Sequence, residues 1–182
     1  MLASTGPTPV AGGWAFEVKW DGIRAQLRSD GCRVCVRSRP GRNCTAEFPE
    51  LAELHSTLAG RRVILDGELV FLSADGKPDF VALRGRLAGR SRRAPGLNGE
   101  QLAFMAFDVL HVDGRAVRRL RYWRRRDLLA ELELDGPVCR APRHFVGEGE
   151  ALLGATAEQD LEGVVPIGST PHTRRADEVT RG

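Results

Sequence analysis

Trp14-Ala15-Phe16-Glu17-Val18-Lys19-Trp20-Asp21-Gly22-Ile23-Arg24 alternates in character, with Trp14, Phe16, Val18 and Trp20 on one side and Glu17, Lys19 and Asp21 on the other. A period of two over this length predicts a half-buried strand from Trp14 to Asp21. Asp21-Gly22 interrupts it, and Ile23 to Arg28 resumes strand character. Asp30-Gly31 then separates that run from Arg33 to Arg39, and such a pair favours a tight hairpin, so three strands are expected in succession.

Further along, Phe48, Leu51, Leu54 and Leu58 recur at helical spacing, and Gly60 is placed to end a helix there. Val63 to Leu72 reads as a strand with Asp66-Gly67-Glu68 in its middle, and Phe80, Leu83 and Leu87 suggest a short helix. Arg90 to Gly99 reads as a basic loop, and Leu102 to Val112 as a long apolar strand closed by Asp113-Gly114. Tyr122 to Leu134 and Glu150 to Glu158 are helical by pattern, and Leu161 to Ile167 is the last expected strand. Strands broken by separate helices, without regular βαβ alternation, point to an α+β domain of antiparallel sheets flanked by helices. The expected organisation is an N-terminal arm over residues 1–13, one folded domain over 14–167, and an unstructured polar tail over 168–182.

Composition sets outer limits. The 182 residues, 42 % hydrophobic and 28 % charged, suit one domain with a real core. No run approaches the roughly 18 to 20 apolar residues that span a bilayer, and Met1 to Gly13 lacks the order of a secretory signal, so a cytoplasmic protein without a membrane partner is expected. Cys32, Cys35, Cys44 and Cys139 lack paired zinc spacing and read as reduced thiols. The net charge is only +3, yet 25 of the 27 basic residues are arginine, clustered at 84–93 and 115–126. Such clusters suit a phosphate backbone, although a solvated surface explains any one of them as well.

Lysine is therefore rare here, and Lys19 stands out. Arginine stays protonated to above about pH 12 and offers no lone pair, whereas burial or a nearby cation can lower a lysine from its usual value of about 10.4. A nucleophile at this position has to be lysine; the ordinary alternative is a surface lysine on a strand, and Lys77, in the polar turn Ser73 to Pro78, reads as a surface lysine. Asp21, Glu68 and Glu162 occupy settings unlike a solvated face, and converging carboxylates can bind ribose hydroxyls or hold Mg²⁺, which takes hard oxygen ligands.

Glu17-Val18-Lys19-Trp20-Asp21-Gly22-Ile23-Arg24 resembles the K-x-D-G motif of covalent nucleotidyltransferases, and in particular of bacterial ATP-dependent DNA ligases. The next family blocks are matched in order by Ser38-Arg39 with Phe48-Pro49-Glu50-Leu51, by Asp66-Gly67-Glu68-Leu69, by Phe107-Asp108-Val109-Leu110, and by Leu161-Glu162-Gly163-Val164-Val165. Ordered blocks over residues 10 to 165 are far more specific than one short motif. RNA ligases and capping enzymes share the lysine motif, but the text around Lys19 leans to DNA.

The resemblance implies the DNA ligase/mRNA capping enzyme nucleotidyltransferase fold, of ATP-grasp-like type, and a substrate pair of ATP and nicked double-stranded DNA. It implies that Lys19 attacks the α-phosphorus of ATP, keeps AMP as a phosphoramidate and passes it to the 5′-phosphate of a nick during repair or recombination. By position, Glu17 reads the adenine amino group, Arg24 and Arg39 touch the sugar or phosphates, Glu68 holds the ribose and Phe107 stacks on adenine. Glu162 helps bind Mg²⁺, with Asp21 as the second metal candidate.

The match weakens after Val165. A basic residue is expected five positions after Glu162, where Ile167 stands, and no lysine follows Lys77. The family's OB-fold domain is not present in these residues. These departures predict weak self-adenylation, from a shortened or frame-shifted ligase gene or from a half that works with a separate OB-fold or repair protein. The competing expectation is a non-catalytic remnant that binds ATP or DNA.

Overall fold

The computed structural model describes Pro9 and residues 13–89 and 101–168. Among these residues nine strands and four α-helices follow in order: β1 Trp14–Val18, β2 Ile23–Asp30, β3 Val34–Ser38, α1 Leu54–Thr57, β4 Arg62–Leu72, α2 Phe80–Leu87, β5 Gln101–Val112, β6 Arg115–Ala116, α3 Tyr122–Ala130, β7 Cys139–Arg140, β8 Phe145–Val146, α4 Gly149–Glu158 and β9 Val164–Gly168. They build two sheets, a small one in the order β8-β1-β9 and a large one in the order β3-β2-β4-β5-β6, with β7 alongside β5. Every pairing is antiparallel except β5 with β7, so the α+β expectation describes the architecture.

The β2–β3 hairpin closes where Asp30-Gly31 predicts. Asp30 Oδ1 accepts from the backbone N–H of Cys32 at 2.9 Å and Arg33 at 2.8 Å, and Gly31 turns the chain at φ +97°. The helix expected over 48–58 is instead two 3₁₀ turns, Thr45–Glu47 and Pro49–Glu53, followed by the single turn α1. Phe48, Leu51 and Leu54 are spaced by three, the 3₁₀ period, and all three are buried. Asp79 caps α2, its side chain accepting from Ala82 N–H at 2.9 Å. Helix α3 stops at Ala130, four residues before the expected end, and Glu133 adopts φ +51° beyond it. Strand β9 begins later than expected because Gly163, at φ +132°, breaks the extended run before Val164. The basic loop at 90–99, the tail beyond Gly168 and most of the expected arm lie outside the described residues.

One face of the large sheet carries the main core. Leu27, Val36, Phe48, Leu51, Leu65, Leu69, Phe104 and Leu129 are among its fully buried members, and each such side chain contributes about 1.5–3 kcal/mol relative to exposure. The opposite face bears a smaller apolar cluster of Val70, Leu72, Ala103 and Met105 under Trp20. Strand parity puts Asp66 and Glu68 of β4, and Arg24 of β2, on that second face. There the sheet turns from apolar to charged.

Pairing of β4 with β5 shifts register twice, between Ile64 and Leu65 and between Asp66 and Gly67. Asp66 faces Asp108 and Gly67 faces Ala106, which leaves Phe107 as the extra residue of a bulge. The bulge lets Ala106 and Val109 both enter the core while Phe107 stays half-buried. An irregularity in pairing is thus what presents this ring.

Candidate active site

Strand β1 ends at Val18, and Lys19 to Gly22 form the connector that carries the chain from the small sheet to β2 of the large one. Lys19 is anchored at its backbone, where N–H donates to Gly163 O at 2.8 Å and extends the β1–β9 ladder by one bond. Its side chain is ion-paired with Glu162 of the segment entering β9. Gly22 is pressed against β4: a Cβ there lies 2.2 Å from Leu69 O and 2.8 Å from Glu68 Cγ. Only glycine lets the backbone come this close, which ties the motif's glycine to the position of its lysine.

Glu68 stands at the centre of the charged group. It pairs in register with Arg24, and its carboxyl is pushed up to about 7, chiefly by burial. Arg24 and Lys19 pull it back down while Asp66 and Asp21 push it further up, so all four charges act on this one carboxyl. Arg24 is held as a fork on Asp66, with Nε to Oδ1 at 3.2 Å and Nη2 to Oδ2 at 2.8 Å. The same guanidinium lies 5.4 Å from the centroid of the Phe107 ring. Lys19, Asp21, Arg24, Glu68 and Phe107, read from the sequence as site residues, thus meet on one face of the large sheet, and Glu162 joins them through Lys19. Arg39 is exposed and joins them only at the backbone, its N–H donating to Arg24 O at 3.2 Å.

Glu17 is placed differently from the sequence expectation, which put it on a polar face. It is buried, because β1 is the middle strand of its sheet and α3 covers the side where water was expected. Tyr122 donates its hydroxyl to Glu17 Oε1 at 2.6 Å, and Arg126 Nη1 lies 3.4 Å from the same oxygen. Burial pushes the Glu17 carboxyl above its usual range, and Arg126 and Tyr122 oppose that shift. Burial also pushes the Tyr122 phenol up, with Glu17 adding to the effect.

Four partners of this site escaped the sequence reading: Asp66, Asp108, Tyr122 and Arg126. Asp108, raised by burial, is clamped by Arg125 through Nε at 2.7 Å and Nη2 at 3.0 Å. Asp66 and Asp108 were in quoted blocks, and an acidic residue inside an apolar strand signals a buried partner. Nothing local marks which arginine of the 115–126 cluster turns inward. Arg125 and Arg126 are buried, whereas Arg118, Arg119, Arg121 and Arg124 are exposed, so that cluster is not one phosphate-facing patch. Likewise Arg86 of the first cluster pairs with Glu50 at 2.6 Å.

Among the described residues, no three His, Cys, Asp or Glu side chains gather as a metal cage. Mg²⁺ needs no such cage when one or two carboxylates act together with substrate phosphates and water, so Glu162 and Asp21 are compatible with it in that mode only. A cavity of about 450 Å³, lined in part by Trp123, Ala130, Leu134, Pro142 and His144, lies apart from the lysine and borders these networks at Arg126. No helix of the described residues is long and apolar enough to cross a membrane.

Residues 7–165 match the model of the ATP dependent DNA ligase domain. The multifunctional non-homologous end joining DNA repair protein LigD of Mycobacterium tuberculosis is 39 % identical over 167 residues, covering 91 % of this chain and 21 % of that protein. A probable DNA ligase of Streptomyces coelicolor is 37 % identical over 86 % of this chain and 32 % of its own length. Among solved structures, a mycobacterial DNA ligase D complexed with ATP and MES superposes with a TM-score of 0.80 at 34 % identity, covering 96 % of this chain and 55 % of that one. The ligase domain of M. tuberculosis LigD gives 0.74 at 35 %, covering 90 % and 51 %. The 182 residues thus span about a fifth of the LigD relatives and about half of the solved ligase chains.

Proposed function

The chain belongs to the ATP-dependent DNA ligase domain family, and on that premise we propose that it is an adenylation domain, with Lys19 as the nucleophile that forms a lysyl-AMP intermediate. The nucleotidyltransferase unit is taken as residues 14–167. The observation that carries the reading is the convergence of Lys19, Asp21, Arg24 and Asp66 on the half-buried carboxyl of Glu68, with Arg24 over Phe107.

In the proposed step the Lys19 Nζ lone pair forms a bond to the α-phosphorus of ATP, and the bond to the leaving oxygen breaks, releasing pyrophosphate. Nζ passes one proton to the Glu162 carboxylate in contact with it, which frees the lone pair, and the second proton leaves to solvent as the phosphoramidate forms. Arg24 and Arg39 meet the sugar or phosphate side, Glu68 takes the ribose hydroxyls, Phe107 stacks on adenine, and Glu17 accepts from the adenine amino group. A Glu68 carboxyl held near 7 exists in both protonation states around neutral pH, so it can donate to or accept from a ribose hydroxyl. Mg²⁺, held by Glu162 with Asp21 and the phosphates, would neutralise charge at the leaving group.

The AMP is then passed to the 5′-phosphate of a nick in double-stranded DNA, the substrate suggested by relatives named as DNA ligases and end-joining repair proteins. No lysine occurs between Lys77 and Gly182, so any α-phosphate contact supplied by that stretch would come from arginine. Each charge-assisted bond missing there removes about 1.5–3 kcal/mol. The 182-residue polypeptide tested by itself is therefore expected to adenylate slowly. Incubation with α-labelled ATP and Mg²⁺ tests this: label is expected on wild type and not on Lys19→Ala. No label on either, together with salt-dependent binding to nicked DNA, would favour a non-catalytic binding remnant instead.

A further inference from the structure

Glu17 and Phe107 sit on different sheets, β1 of the small one and β5 of the large one, yet one side chain touches both. Arg126 of α3 lies 3.4 Å from Glu17 Oε1 through Nη1, and the same nitrogen donates to Phe107 O at 3.1 Å. Its Nη2 donates to Pro142 O at 2.5 Å, which fixes the guanidinium at its other end. Phe107 is the bulge residue of β5, without a register partner on β4, and its carbonyl accepts from this donor. The Arg126 side chain is only 9 % exposed, and its Nε has no hydrogen-bond partner. A buried arginine with an unmet donor is costly, and so marks a place where geometry is being held rather than stability gained.

Tyr122, one helical turn earlier, completes the clamp. Its hydroxyl donates to Glu17 Oε1 at 2.6 Å, and its ring is wedged by Trp123 at 5.1 Å and His144 at 6.0 Å between centroids. Both contacts fall on Oε1. Among the described residues, the second carboxylate oxygen is therefore left to accept from a ligand.

Resting on the adenylation reading above, we propose that Tyr122 and Arg126 are positioning residues for base selection, orienting the Glu17 carboxylate toward an exocyclic 6-amino group and fixing its distance from the Phe107 ring. A 6-amino purine donates to the free oxygen. A 6-oxo purine presents an acceptor to a carboxylate and is refused, because a site that leaves a buried polar group unpaired discriminates strongly. Arg126 also opposes the effect of burial, which raises the pKa of that carboxyl.

The test uses the full 182-residue chain and equilibrium binding of three triphosphates: ATP, GTP and the purine riboside triphosphate that lacks the 6-amino group. Wild type is expected to prefer ATP over the analogue without the amino group by about 10-fold or more, the scale of one hydrogen bond to a charged group. Tyr122→Phe and Arg126→Lys should narrow that preference by about 3-fold or more, by weakening ATP and leaving the analogue nearly unchanged. A merely structural role would weaken both ligands equally and leave the ratio intact, which overturns the inference alone. Wild type that binds no ATP overturns the adenylation reading and this inference together. Melting curves identify a misfolded variant, in which case Tyr122→Phe, the smaller change, decides.

Discussion

Gly22→Ala adds one methyl group at the place where the connector after Lys19 crosses β4. The new Cβ would sit 2.2 Å from Leu69 O, 2.8 Å from Glu68 Cγ and 3.0 Å from Val70 Cγ1. Ordinary contact begins near 3.5 Å, so the start of β2 has to retreat by about 1 Å. The nearest obstacle is backbone in the interior of a paired strand, which cannot swing aside as a side chain can. Overpacking of this kind costs about 1–3 kcal/mol, and backbone collision puts it at the upper end. For a chain of this size that lowers Tm by about 6–12 °C. The larger effect falls on the lysine three residues away, since a misplacement of about 1 Å at a reacting group costs about 10²-fold in rate. Lysyl-AMP formation should fall by that factor at a temperature where circular dichroism shows the variant fully folded. Gly154→Ala is the matched control: it lies exposed in α4 with nothing within 4 Å of its added Cβ. Helix propensity makes that change stabilising by up to about 1 kcal/mol. If Gly22→Ala melts within 2 °C of wild type, a threshold of roughly half a kcal/mol, and labels at the wild-type rate, the close approach to β4 plays no part in placing Lys19.

The remaining predictions follow from the charged groups. Glu68, lifted from 4.5 to about 7, keeps its proton in the folded chain after the unfolded chain has lost it. Folding thus takes up a proton between about pH 4.5 and 7, and stability falls as pH rises through that window. Urea titrations across it should show Glu68→Gln with a flatter profile than wild type, and an unchanged slope would refute the assignment. Arg125→Ala strands the Asp108 carboxylate, only 16 % exposed, and should cost about 3–5 kcal/mol. Arg124→Ala on the same helix removes only the exposed contact to Asp127 at 3.3 Å and should change stability by less than about 0.5 kcal/mol. Equal losses in the two variants would show that burial does not separate these neighbours.

Much of the large sheet was legible because its strands announce themselves. Val63 to Leu72 and Leu102 to Val112 are long and apolar, and Asp30-Gly31 and Asp113-Gly114 mark their turns; β4, β5 and both turns lie where the sequence puts them. Lys19 stood out by rarity and motif together, and its side chain meets Glu162. Glu17 was not, because a period of two assumes one wet face, and β1 is covered on both sides. The bulge at Phe107 was not legible either, since nothing in Phe107-Asp108 says that one residue is extra until β4 is laid beside it. The arginine clusters misled for a related reason. Arg124 and Arg125 are neighbours in sequence, yet a rotation of about 100° per residue sends one to water and the other onto Asp108. Where a helix points its faces is decided by what packs on it, and that information lies far away in the chain.

The central claim is that the Lys19 Nζ becomes bonded to phosphorus. Wild-type protein incubated with ATP and Mg²⁺, then digested under alkaline conditions that preserve a phosphoramidate, should yield one AMP-bearing peptide, whose fragment ions put the adduct on Lys19. An adduct on another residue, or one that persists in Lys19→Arg, would contradict the account.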